Sequence, residues 1–124
     1  MSCSARVDQS GHLLRIKFAG HVTEAEAQSC IREIEQLLAE VQPGFTLLTD
    51  LTDVNEMDLA CEPVIGRMME DLNRHRIQKV VRVIPDPQKD IGFGIMSLFH
   101  YGHAVQLITC KNLAEAEQLL AITT

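Results

Sequence analysis

In the segment LLRIKF, Leu14, Ile16 and Phe18 alternate with Arg15 and Lys17, the period of two that gives a strand one apolar and one wet face. Residues 5–8 lie ahead of it, with Gln9-Ser10-Gly11-His12 between, so the pattern predicts a β-hairpin closed by a Ser-Gly turn. The period then changes. Ala27, Cys30, Ile31, Ile34, Leu37, Leu38 and Val41 recur at steps of three and four, forming one face of a helix of about four or five turns. Thr23 and Glu26 stand at capping-box spacing before it, and Pro43-Gly44 ends it.

Three compact apolar runs read as strands: FTLLTDL (45–51), VVRVI (80–84) and AVQLITC (104–110). Between the first two, Val64, Ile65, Met68, Met69 and Leu72 predict a second helix, with Pro63 in its first turn. A third helix is expected from Asp90 over residues 91–102, although Gly92 and Gly94 weaken it. Asn112 caps a closing helix that carries Leu119 and Leu120, with Glu115 at its third position. The order ββαβαβαβα demands a mainly parallel sheet of four or five strands with an antiparallel hairpin at its edge. The expectation is one α/β sandwich over residues 1–124, with four helices.

Composition narrows the function. With 124 residues, 46% hydrophobic and 23% charged, the chain has the makeup of an ordinary soluble globular domain. Four phenylalanines, one tyrosine and no tryptophan make the core aliphatic. The net charge of −6, without a Lys/Arg-rich run, excludes the electrostatic footprint of a nucleic-acid binder. It also argues against docking on anionic lipid. No apolar run approaches the ~20 residues a membrane-spanning helix needs, and the first residues lack a signal-peptide pattern. Cys3, Cys30, Cys61 and Cys110 are isolated, with no CxxC pair, so free thiols in a reducing cytoplasm are expected.

Candidate chemistry is sparse. Cys61 lies near the start of the second helix, where the helix dipole favours a thiolate; a buried apolar role is the simpler reading, and Glu62 opposes a lowered pKa. Asp50, Asp53, Glu56 and Asp58 offer hard oxygens for Mg²⁺ or Ca²⁺, but their spacing fits no EF-hand and also suits a solvated loop with one carboxylate capping the helix. His100 and His103 flank the end of the third helix, where a histidine complements the dipole as readily as it binds a metal. Phe93, Met96, Phe99, His100 and Tyr101 concentrate the aromatic and soft side chains, beside Met68 and Met69. Such a face either covers the sheet or forms an apolar groove for a lipid-like ligand or a partner helix. No catalytic motif is present, so neither an enzyme nor a cofactor or metal is expected.

Three stretches carry a resemblance. Leu14 to Gly20 followed by Val22-Thr23, the run Leu48-Thr49-Asp50-Leu51-Thr52-Asp53-Val54, and Met57-Asp58 followed by Val64-Ile65 together resemble the STAS domain, the fold of bacterial anti-sigma-factor antagonists of the SpoIIAA type. In that family the second serine of a Met-Asp-Ser-Ser-Gly segment accepts phosphate from a partner kinase. Here Leu59 and Ala60 fill the two serine positions, and Cys61 and Pro63 stand where the family keeps glycines. The resemblance implies a protein-binding regulatory module without the serine phosphoswitch. Its expected partner or ligand surface comprises Asp58, Ala60, Cys61, Glu62 and the 93–101 group. A protein, a second copy of the chain, or a small apolar ligand beside the second and third helices are the candidate partners.

Overall fold

A computed structural model describes residues 3–84 and 105–123. Five strands form one sheet in the order β1-β2-β3-β4-β5: β1 (Cys3–Val7), β2 (Leu13–Val22), β3 (Thr46–Met57), β4 (Lys79–Val83) and β5 (Gln106–Cys110). β1 pairs antiparallel with β2, and every other pairing is parallel, as the alternation of strands and helices requires. Among the described residues there are three α-helices: α1 (Glu24–Leu37, extended by a 3-10 turn Leu38–Glu40), α2 (Cys61–Arg74) and α3 (Leu113–Thr123). The helix expected over 91–102 lies outside the described residues.

The period-two pattern of β2 is realised in the packing. Leu14, Ile16 and Phe18 are buried on the sheet face that α1 and α2 cover, together with Leu47, Val80, Ile34, Ile65 and Leu72. The opposite face packs Leu48, Val81, Val83 and Cys110 against Ala116 and Leu120 of α3. Arg15 points to that second face, where its guanidinium holds Glu117 of α3 through two bonds of 2.5 and 3.1 Å. The caps form where the sequence places them. Thr23 accepts from the Glu26 amide at 3.3 Å, and Asn112 accepts from the Glu115 amide at 2.8 Å.

Two expectations are corrected. First, β3 does not stop at Leu51 but continues to Met57, because β2 also runs on, to Val22, and supplies a partner for it. The acidic segment read as a loop is therefore largely strand. Two register irregularities, around Ala19 and Gly20, let the ladder follow this overhang. Second, Cys3 and Cys30 are not free thiols: they form a disulfide between β1 and α1, with Cα atoms 6.0 Å apart. This removes the cysteine argument for a reducing compartment. No helix among the described residues is long and apolar enough to cross a membrane.

The hairpin turn places a sharp demand on one residue. Gly11 has φ +76°, its carbonyl accepts from Gln42 at 2.8 Å, and a Cβ there would meet the Glu40 carbonyl oxygen at 2.7 Å. Gly20 has a similar φ, +68°, but open space around it. Gly20→Ala is expected to cost only the left-handed backbone penalty, about 1–2 kcal/mol. Gly11→Ala adds a clash with rigid backbone and is expected to cost clearly more. Urea unfolding of both variants checks this; equal losses would mean that the turn gives way freely.

Candidate functional site

The overhanging end of β3, paired with that of β2, leads directly into α2. The Asp58 amide donates to the Val22 carbonyl at 3.0 Å, the last rung of the pairing. Residues 58–60 then turn into the helix, with the Cys61 amide donating to the Asp58 carbonyl (2.9 Å) and the Glu62 amide to the Leu59 carbonyl (3.0 Å). Ala60 is the N-cap and has no side-chain oxygen to contribute. The expected carboxylate cap is therefore absent: the Asp58 side chain instead takes the His21 ring, Nε2 to Oδ1 at 2.6 Å. This bond, then the charges of Asp58, Glu56 and Glu26, raise the His21 pKa above its ordinary 6.5.

The turn exposes one large apolar side chain. Leu59 is 87% exposed, against 40% for Leu113, the other large hydrophobic residue exposed among the described residues. Ala60 and Glu62 are also exposed, and Asp58 is half-buried. Cys61 does not belong with them, which corrects the expected surface. It is 0% exposed, sits in the core with Val64 and Ile65, and its thiol lies 3.5 Å from the Val22 carbonyl. Burial first, then the charges of Asp58, Glu24 and Glu26, push its pKa above 9.0, while a hydrogen bond with Asp58 lowers it by less.

The four carboxylates grouped in the sequence are dispersed. Asp50 is buried and accepts from the amide and hydroxyl of Thr52, at 3.0 and 2.6 Å. Asp53 pairs with Lys17 at 3.0 Å. Only Glu56 and Asp58 come together, and His21 joins them. That histidine was not singled out by spacing, since its proximity to Glu56 arises from β2–β3 register. Arg82 does carry a signal in the sequence, a charge inside the apolar run VVRVI. It is 5% exposed, beside Thr49 and Thr109 in the sheet register.

Phe93, Met96, Phe99, His100 and Tyr101, together with His103, lie outside the described residues. Met68 and Met69, expected to flank that group, are buried in the core at 4% and 3% exposure. A groove of about 390 Å³ does run between α1 and α2. Its floor is Ile31 and Val64, but its walls are charged, including Arg32, Glu35, Arg67 and Glu70, and do not suit an apolar ligand.

No protein-family model matches the chain, and no curated protein matches its sequence. Solved structures do match. An uncharacterized protein of the DUF3478 family with a SpoIIAA-like fold, from Shewanella loihica PV-4, superposes with a TM-score of 0.71 at 15% identity, covering 95% of this chain and 91% of that one. The phosphorylated form of the Bacillus cell fate determinant SpoIIAA gives 0.63 at 13% identity, covering 94% and 99%. An anti-sigma factor antagonist from Mycobacterium paratuberculosis gives 0.61 at 18% identity, covering 99% and 96%. At these identities the likeness speaks to architecture, and it does so over nearly the whole of each chain. The chain therefore has the SpoIIAA-like α/β fold that its resemblance to the STAS domain implies.

Proposed function

We propose that this chain is a non-enzymatic, STAS-like regulatory module that binds a protein partner through the turn 58–60 and the exposed first turn of α2, without a serine phosphoswitch. The observation that carries this reading is Leu59, presented to solvent at 87% exposure on a turn held by backbone hydrogen bonds. An apolar side chain displayed on a rigid turn is an anchor without a pocket, and burying it against a partner is worth about 1.5–3 kcal/mol. Asp58, Glu56 and Glu62 around it favour a partner whose receiving pocket has a basic rim. Leu59 and Ala60 carry no oxygen to phosphorylate, so binding here is not released by phosphate on those positions. The buried, proton-retaining Cys61 supports the non-enzymatic part of the reading.

The test is affinity capture from the source cell with the wild-type chain and Leu59→Asp as paired baits, followed by binding measurements with each purified candidate. A partner that binds the wild type saturably and is lost by the variant supports the proposal. If every captured protein binds both baits equally, or light scattering and capture find only an inert monomer, the turn is not an interface.

A further inference from the structure

We propose that His21, Glu56 and Asp58 form a binding site for one divalent transition-metal ion, of which Zn²⁺ is the representative probe. The three side chains offer one imidazole nitrogen and two carboxylate oxygens, all within 4.8 Å of one another. Metal–ligand bonds of about 2.0–2.2 Å set neighbouring donor atoms roughly 3–4 Å apart. One ion therefore fits among these atoms once His21 and Asp58, now 2.6 Å apart, separate by small side-chain rotations.

The donors are held by backbone that the fold already fixes. His21 and Glu56 are register partners on β2 and β3, and Asp58 is tied to Val22 by its amide. The charge around them is unbalanced in the direction a cation needs. Lys17 is engaged with Asp53 and Arg15 with Glu117, and among the described residues no lysine or arginine pairs with Glu56 or Asp58. Glu26 adds its field at His21 from α1. The imidazole distinguishes this constellation from a plain acidic surface. Carboxylates alone suit Mg²⁺ and Ca²⁺, whereas an imidazole with carboxylates favours Zn²⁺ and its neighbours. One position on a four-coordinate ion would remain open to water or to a ligand supplied by another molecule.

This site shares Asp58 with the 58–60 turn but does not use Leu59, so Zn²⁺ binding and partner binding are read out on different variants and either proposal can fail alone. The experiment is calorimetric titration of the full chain with Zn²⁺, and in parallel with Mg²⁺ and Ca²⁺. The wild type is expected to bind one equivalent of Zn²⁺ and to take up Mg²⁺ and Ca²⁺ far more weakly. Loss of even an outer-shell partner weakens metal sites by about 10–100-fold, so His21→Ala and Glu56→Gln are each expected to weaken Zn²⁺ binding at least about tenfold. The double variant His100→Ala/His103→Ala is expected to retain it. Both ligand residues are exposed, and circular dichroism melts verify that their variants fold. The inference is overturned by any of three results: no saturable Zn²⁺ binding, Zn²⁺ binding unchanged by His21→Ala and Glu56→Gln, or equal Mg²⁺ and Ca²⁺ binding that survives His21→Ala.

Discussion

Reducing the Cys3–Cys30 disulfide is expected to lower the stability of the folded chain by about 3–4 kcal/mol, through the freedom returned to a 28-residue loop of the unfolded chain. For a domain of this size that corresponds to a fall in Tm of roughly 10–15 °C. The bond fastens β1, an edge strand held in the sheet only by β2, to α1. The first elements to loosen should therefore be the hairpin and the amino-terminal part of the sheet. Thermal melts with and without reductant, and of Cys3→Ala/Cys30→Ala, measure the effect. Identical midpoints, or four titratable thiols in the denatured chain without reductant, would show that the bond does not form.

Cys61 is expected to be inert in the folded chain. Burial, then the charge of Asp58, raises its pKa above the ordinary thiol value, so it keeps its proton near neutral pH. It is also fully buried, and reagent reaches it only when the structure opens. A disulfide-exchange reagent at pH 7 should label Cys61 at least about a hundredfold more slowly than it labels the urea-unfolded chain. Cys110, the other free cysteine and equally buried, should behave alike. Fast labelling of Cys61 in the native state would restore a reactive thiol at the start of α2 and count against a non-enzymatic role.

Much of this architecture is legible from local pattern. The alternation in LLRIKF, the three-and-four spacing behind Thr23 and the Asn112 cap each depend on neighbours within a few residues, and each reappears in the fold. What escapes the sequence is set at long range. Asp53 and Asn55 are turn-formers by local preference, yet they extend because β2 runs beside this end of β3. Cys3 and Cys30 gain a partner only when β1 folds against α1. Leu59 and Cys61 are two positions apart, and nothing in their spacing says that one faces solvent and the other the core. The turn 58–60 decides it, since it rotates the chain into α2 with Leu59 outside the helix. His21 reaches Asp58 for the same reason: the ladder between β2 and β3, not sequence proximity, brings them together.

If the 58–60 turn holds a protein partner with Leu59 as its anchor, as proposed, removing that side chain weakens the complex and leaves the fold intact. Calorimetry of the purified captured partner against wild type and Leu59→Asp tests it most directly. Losing about 1.5–3 kcal/mol of apolar burial is expected to weaken binding by at least about tenfold, while the melting temperature of the variant stays within about a degree because Leu59 packs against nothing in the core. Equal affinity of the two chains for the partner would contradict the account.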